Sequence, residues 1–162
     1  FKKKRKEGWY YEFQELGYNY RLNEIQSALG ISQLKRLNKW VTYRNRIAEI
    51  YRKELKDLPL VMPPKKRGYY SSYHLFVIQI LKNKKKIKRN TLYRLLKKRG
   101  IQTNIHYIPI HTHPYYKKEG FKNDKFPKAM RYFNNCLSLP MHAGLTIKKQ
   151  KIITNFLKKV FL

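Results

Sequence analysis

Apolar residues recur at helical spacing in the first third of the chain. Between residues 32 and 57 they stand three, four or seven positions apart, with Lys, Arg and Glu between them. This spacing predicts an amphipathic helix of about six turns, which must stop before Pro59. A shorter helix precedes it, because Asn23 and Gln26 have the spacing of a capping box, and Gly30 is expected to end or kink that helix. The apolar positions of the longer helix are Leu34, Leu37, Val41, Ala48, Tyr51 and Leu55.

The rest of the chain alternates between β-type and helical patterns. In chain order the predicted elements are a buried strand at 73–81, a helix capped by Asn90 and ended by Gly100, a strand at 101–108, a loop at 109–124, a helix with Pro127 in its first turn, a strand at 136–139 and a helix capped by Thr146. This order predicts an α+β subdomain at 59–162 on a small sheet, with connecting helices at 23–58.

The formal net charge of +29 raises the question of an anionic partner, because such a charge attracts nucleic acid and anionic membranes. The cations are spread through nearly every segment, however, including the predicted helix faces that carry Lys35, Lys39, Lys97 and Lys98. A nucleic-acid site usually gathers its cations on one face, so a solvated basic surface is favoured over a nucleic-acid partner. No apolar run approaches the roughly 20 residues that span a bilayer.

Few residues suggest chemistry by their type alone. The single cysteine, Cys136, lies among leucines and is expected to be a small buried apolar residue in a reducing, cytoplasmic protein. The histidines of the 106–113 segment lack the spacing of a metal site. Ser72 and His74 form no recognisable hydrolase pair, because no nucleophile elbow accompanies them.

An aromatic loop with an Asn and an Arg precedes the first helix, and it opens a series of ordered motifs. A helix start with amide and guanidinium donors suits a phosphate, although an aromatic-packed helix entry has the same appearance. The motifs are Gly17-Tyr-Asn-Tyr-Arg-Leu22, Ser72-Tyr-His-Leu-Phe76, Gly100-Ile-Gln-Thr-Asn-Ile-His-Tyr-Ile-Pro109, His113-Pro-Tyr-Tyr116, Phe126-Pro-Lys-Ala129 and Leu137-Ser-Leu-Pro-Met141. Together they resemble the DegT family of nucleotide-sugar aminotransferases that use pyridoxal 5'-phosphate (PLP).

The resemblance implies a C-terminal subdomain of a fold-type I PLP enzyme, with residues 1–22 ending the large PLP-binding domain. It implies that Asn19 contacts the cofactor phosphate of the neighbouring subunit in a homodimer, with Arg21 as a helper. It also implies that the segment after the second predicted strand lines the sugar-nucleotide pocket. The pocket residues implied in this way are Asn104, Ile105, His106 and Tyr107, followed by Pro109 and His111.

Within the family, the stretch from Tyr10 to Asn19 and the run from His106 to His111 are most similar to enzymes of the pseudaminic acid pathway. This implies a UDP-linked 4-keto-6-deoxy sugar as acceptor and an amino acid, by resemblance glutamate, as donor. In the family, the lysine that holds PLP lies upstream of the position of Phe1. The chain is therefore expected to be a C-terminal fragment that is inactive alone, and no catalytic residue is assigned in it. The alternatives are a basic nucleic-acid-binding module and a regulator of the same fold that has lost transamination.

Overall fold

The structure is a computed structural model that describes residues 17, 18, 20–121 and 125–162. The chain divides into two compact units, residues 1–36 and residues 37–162. The elements of the second unit confirm the expected α+β class, a small sheet with packed helices, and the sheet is antiparallel. Among the described residues, none of the helices combines the length and the apolar character needed to cross a membrane.

Helix α1 runs from Glu24 to Leu55 as one continuous element of 32 residues. The predicted capping box is confirmed at its start, where Asn23 and Gln26 each bond the other's backbone N–H. The expected break at Gly30 is wrong, because the helix passes through it. A glycine inside a helix costs about 1 kcal/mol relative to alanine, and this cost is small beside the hydrogen bonds on either side of it.

The apolar stripe of α1 is buried in its C-terminal part. Ile47, Ala48, Tyr51 and Leu55 are fully buried, at the spacing that keeps residues on one side of a helix. The predicted stripe is wrong further toward the N-terminus, because Leu34 is 67% exposed. Leu37, also predicted to face inward, is 46% exposed. The helix therefore contributes to the core of residues 37–162 mainly through its last three turns.

The sheet has three antiparallel strands in the order β1-β2-β3. They are β1 (Leu60–Val61), β2 (Phe76–Ile80) and β3 (Cys136–Leu139). Strands β2 and β3 confirm two predicted strands, although β2 is shorter than the predicted 73–81. The predicted strand at 101–108 is wrong, since only Asn104 pairs, in an isolated bridge to Ser138.

The described residues contain four further α-helices: α2 (Arg89–Lys98), α3 (Pro114–Lys118), α4 (Pro127–Asn135) and α5 (Ile147–Phe161). The Thr146 cap is confirmed, since its hydroxyl accepts from Lys149 N at 3.2 Å. Gly100 follows α2 with a φ of +70°, as its predicted role as helix stop requires. The predicted cap at Asn90 is wrong, because α2 begins at Arg89 after Lys88, whose side chain makes no capping bond.

The described part of the predicted loop at 109–124 contains α3 and a 3-10 turn at Ile110–Thr112. The core lies between the sheet and the helices α1, α2 and α5. Cys136 is fully buried in it, as predicted. Two polar side chains join its elements: Tyr51 donates to Pro140 O at 3.0 Å, and Gln150 Nε2 donates to Ile47 O at 2.8 Å. These bonds connect α1 to the residue after β3 and to α5.

Candidate functional site

The entry to α1 holds the residues expected to face a cofactor phosphate. Asn19 lies outside the described residues. Arg21 is exposed, and the rings of Tyr18 and Tyr20 beside it stack with centroids 5.2 Å apart. Both tyrosines are more than four-fifths exposed. The structure therefore presents aromatic faces and one guanidinium at the surface ahead of the helix.

The capping box changes what this entry can offer an anion. The Gln26 N–H donates to Asn23 Oδ1 at 2.8 Å, and the Asn23 N–H donates to Gln26 Oε1 at 3.1 Å. The first four N–H groups of a helix are the ones that usually bind anions. Two of them are thus already satisfied here. The first-turn N–H groups that the capping box does not use are those of Glu24 and Ile25.

The segment expected to contact the sugar nucleotide, residues 104–107, is fixed at one end and open at the other. Asn104 exchanges two backbone hydrogen bonds with Ser138 of β3. Its side-chain Oδ1 accepts from the N–H of Ile105 at 2.8 Å, so the amide turns back on its own backbone. Ile105 is partly buried and packs against the core, whereas Tyr107 is 71% exposed. Tyr107 and Asn104 are therefore the most accessible of the four candidates.

His106 is held against β3 through its ring. Its Nδ1 lies 2.7 Å from Ser138 Oγ, and the ring meets Tyr107 edge-on with centroids 4.6 Å apart. Ser138 itself is only 5% exposed. One nitrogen of the imidazole therefore contacts a buried hydroxyl, while no described residue bonds its Nε2. Sequence reasoning missed Ser138, because nothing in the motif that contains it marks a contact 32 positions away.

A buried arginine and the cysteine lie next to this segment. The Arg89 guanidinium stacks over the Phe133 ring at 4.9 Å, and no described residue accepts from its Nε or Nη1. Burial raises the pKa of the Cys136 thiol, while the nearby charge of Arg89 and a backbone hydrogen bond from His106 lower it. The balance keeps Cys136 a protonated thiol near neutral pH, which suits a packing role rather than a nucleophile.

The remaining residues considered from the sequence are His111, Ser72 and His74. His111 is buried against Phe126, with ring centroids 4.5 Å apart, and its Nε2 has no partner among the described residues. Ser72 and His74 are both exposed ahead of β2. The described residues contain no group of three or more His, Cys, Asp or Glu side chains that could hold a metal ion.

A groove of about 580 Å³ opens beside the residues that lead into this segment. It is formed by the end of α2, the residues after β3 and the start of α5. Cationic and polar side chains line it, namely Arg99, Gln102, His142 and Lys149, over an apolar floor that includes Ile153. Sequence reasoning missed the groove, because its residues come from three separated stretches and no short motif marks them.

The chain is similar in sequence and structure to known sugar aminotransferases. GDP-perosamine synthase of Vibrio cholerae is 34% identical over 146 residues, which are 90% of this chain and 39% of that protein. The UDP-4-amino-4,6-dideoxy-N-acetyl-beta-L-altrosamine transaminase of Campylobacter jejuni is 34% identical over 154 residues, covering 94% and 40%. The solved structure of Helicobacter pylori PseC, an aminotransferase involved in the biosynthesis of pseudoaminic acid, superposes with a TM-score of 0.78.

PseC is 31% identical to this chain, and the match covers 97% of this chain and 42% of the solved one. The chain thus spans about two-fifths of the length of the relatives that it matches. The family model of the DegT/DnrJ/EryC1/StrS aminotransferases matches residues 1–158. The resemblance drawn from the ordered motifs and the fold that it implied are both confirmed. The chain belongs to the DegT/DnrJ/EryC1/StrS aminotransferase family.

Proposed function

We propose that the chain forms the C-terminal, substrate-contacting part of a PLP-dependent aminotransferase that acts on a nucleotide-linked keto sugar. The acceptor that the motifs favour is a UDP-linked 4-keto-6-deoxy sugar, and the donor is an amino acid such as glutamate. The product would enter surface glycan or polysaccharide synthesis in the cytoplasm. The observation that supports this most directly is the segment 104–107, which pairs with β3 and exposes Asn104 and Tyr107, within a chain matched to the family over residues 1–158.

The segment 104–107 has the chemistry of a contact with a hydroxylated, phosphorylated ligand. Asn104 and Tyr107 are exposed, and His106 has an unbonded ring nitrogen. Amide, phenol and imidazole groups recognise sugar hydroxyls and phosphate oxygens, and an aromatic face packs against a ring. The backbone pairing of Asn104 with Ser138 holds these groups on the sheet rather than on a free loop, which improves the precision of a site.

The entry to α1 fits the phosphate end of the cofactor. The exposed Arg21 guanidinium and the first-turn N–H groups are suitable donors for a phosphate dianion. We assign Asn19 to the same phosphate on the resemblance alone. Bound PLP would supply the carbonyl chemistry through which an amino group leaves the donor, as a 2-oxo acid forms, and reaches the keto carbon of the acceptor. The described residues would bind and orient the sugar nucleotide during this exchange.

A homodimer with a shared site is part of the proposal. The unit at residues 1–36 exposes a set of large apolar side chains on α1, including Ile25 at 81% and Leu29 at 59%. Ile31 and Leu34 are also more than half exposed. These side chains lie on more than one side of the helix, so a partner that wraps around α1 would bury them. A second subunit or a further domain on this surface would bring the α1 entry next to a cofactor held elsewhere.

The test uses the complete protein expressed from its gene, incubated with PLP, glutamate and a UDP-4-keto-6-deoxy sugar. The expected result is a PLP absorbance band that is retained on gel filtration, together with formation of the 4-amino sugar and 2-oxoglutarate in equal amounts. Residues 1–162 expressed alone should form no product, because no catalytic lysine is assigned within them. Failure of the complete protein to retain PLP would contradict the proposal.

A parallel titration with duplex DNA at physiological salt addresses the competing hypothesis. Tight binding that weakens steeply as salt rises would favour a nucleic-acid-binding module. Weak binding without sequence or length preference would be the ordinary behaviour of a surface with a net charge of +29.

A further inference from the structure

Ser138 joins β3 to the candidate substrate segment in two separate ways. Its backbone donates to Asn104 O at 2.8 Å and accepts from Asn104 N at 3.4 Å. Its hydroxyl lies 2.7 Å from His106 Nδ1. The backbone pair would survive a change of side chain, whereas the contact with the imidazole depends on the hydroxyl alone. The role of the side chain can therefore be tested without removing the bridge.

The environment of the hydroxyl determines where its hydrogen points. Ser138 is 5% exposed, and the described contact of its Oγ is with His106 Nδ1. If Nδ1 carried a hydrogen and donated it, the hydroxyl hydrogen would be buried without an acceptor, which is costly. If the hydroxyl donates to Nδ1, both groups are satisfied. A neutral imidazole then carries its hydrogen on Nε2.

We propose that Ser138 is a positioning residue that presents His106 Nε2–H as a hydrogen-bond donor to an oxygen of the nucleotide sugar. This rests on the proposed function, in which residues 104–107 contact that substrate. The ring bond of His106 within the described part of the chain is that of Nδ1, and the residue is partly exposed, so the Nε2 donor is available to a ligand. The edge-on contact with Tyr107 at 4.6 Å and the bond to Ser138 together restrict the ring to one orientation.

The first test measures the ring directly and needs neither cofactor nor substrate. The protein is labelled with 15N-histidine, and the signals of His106 among the five histidines are identified with the variant His106→Gln. The expected result at neutral pH is an unprotonated Nδ1 and a protonated Nε2. Ser138→Ala should convert the two signals toward the average of exchanging tautomers, and Ser138→Thr should restore them. A hydrogen on Nδ1 in the wild-type protein would overturn the proposal.

The second test measures kinetics of the complete protein with both substrates. Loss of one hydrogen bond should raise the nucleotide-sugar KM of Ser138→Ala about fivefold, with the amino-donor KM and kcat little changed. Ser138→Thr should recover most of the loss. In the background of His106→Ala, the further change Ser138→Ala should add nothing, because the group that it positions is already absent. An equal rise of both KM values, or an effect that persists without His106, would contradict the positioning role.

A matched control separates this role from general packing. Thr154 is another fully buried hydroxyl of the same unit, and it donates to Lys151 O at 3.1 Å within α5. Thr154→Ala should lower the midpoint of thermal unfolding without changing the KM for the nucleotide sugar. If the tautomer is as expected but the wild-type protein uses no nucleotide sugar, the proposed function is wrong and the orientation of the ring stands. If Nδ1 is protonated, Ser138 does not position the ring for any substrate.

Discussion

Strand β3 and residues 101–108 pair with each other at Ser138 and Asn104, yet they differ in burial and in strand pairing. All four residues of β3 are buried, and all four pair with β2. Residues 101–108 contain comparable β-forming side chains, but only Asn104 pairs, and Tyr107 and Ile108 are more than half exposed. Similar local composition therefore gives a core strand in one place and an accessible segment in the other.

The difference comes from the competition for backbone bonds. The Asn104 side chain accepts from the next N–H, a local bond that competes with a strand ladder. Pro140 follows β3 just as Pro109 follows residues 101–108, so the prolines do not distinguish the two regions. No described side chain of β3 accepts from an N–H of its own strand, and β3 pairs with β2 along its whole length. The comparison suggests a division of roles, in which β3 supports stability and the neighbouring segment contacts ligand.

The largest effect is expected from the core of β3. Leu137 is fully buried, and Leu137→Ala should lower the free energy of unfolding by about 2–5 kcal/mol, because it leaves a cavity. Ile108→Ala removes an apolar side chain that is 53% exposed and should change the same quantity by less than about 0.5 kcal/mol. Chemical denaturation measures both. Equal losses would show that the two regions do not differ in their share of stability.

When ligand binding is measured instead of stability, the larger effect is expected from residues 101–108. His106→Ala should raise the nucleotide-sugar KM by roughly 10- to 150-fold, since a hydrogen bond to a charged oxygen is worth about 1.5–3 kcal/mol and each 1.4 kcal/mol is a factor of ten. PLP affinity should change less. His74→Ala, an exposed histidine ahead of β2, serves as the matched control and should leave both constants unchanged. A similar loss of PLP and sugar binding in the His106 variant would argue against the pocket assignment.

A third experiment measures how the hydrogen bond at the end of β3 makes the free energy of unfolding depend on pH. Tyr51 donates to Pro140 O, directly after the strand, and burial raises its pKa. The folded state keeps this proton where the unfolded chain loses it, so the contribution is fully present below the ordinary pKa of about 10 and declines as pH rises above it. Tyr51→Phe should cost about 0.5–1.5 kcal/mol at neutral pH and flatten the alkaline decline in unfolding free energy.

Tyr115→Phe is the control for this experiment, because Tyr115 is 67% exposed. This variant should keep both the neutral stability and the alkaline decline of the wild type. If the alkaline decline were unchanged in Tyr51→Phe, titration of the buried phenol would not be its cause.

The smallest effect is expected for an ion pair that touches neither region. Lys158 Nζ lies 2.6 Å from Glu54 Oε2, and this hydrogen bond and charge lower the pKa of Glu54. The contribution is present above the ordinary carboxyl pKa of about 4.3 and is lost as pH falls through the lowered value. Glu54→Gln should therefore shift the denaturation midpoint slightly at neutral pH, and the shift should disappear in acid. A shift that persists in acid would point to packing instead of charge.

The features that sequence predicted well are those set by a few neighbouring residues. The Asn23 capping box, the Thr146 cap, the start of α4 at Pro127 and the turn at Gly100 each depend on contacts within four positions. The strands β2 and β3 were predicted because their apolar runs are short and continuous. Local chemistry was sufficient for these elements.

The features that sequence reasoning missed depend on distant partners. Strand β1 is two residues long and exists because Leu60 and Val61 pair with β2. The continuity of α1 through Gly30 is a property of the whole helix and not of that residue. Ser138 stands in one of the family motifs, but its contact with His106 is visible only in the folded chain. The sequence thus predicts the candidate segment 104–107, but it does not predict the contact of Ser138 with His106.

The burial of Cys136 gives the molecule an internal reporter of its own opening. It is the only thiol in the chain, and none of its side chain is exposed. A thiol reagent should therefore label the protein only when β3 separates from the surrounding core. Since Cys136 opposes Gln79 in the sheet and contacts the backbone of His106, the labelling rate reports how often this face of the sheet opens. A ligand that holds residues 104–107 in place should slow that labelling. The labelling rate of Cys136 Sγ therefore measures how much of the protein has ligand bound.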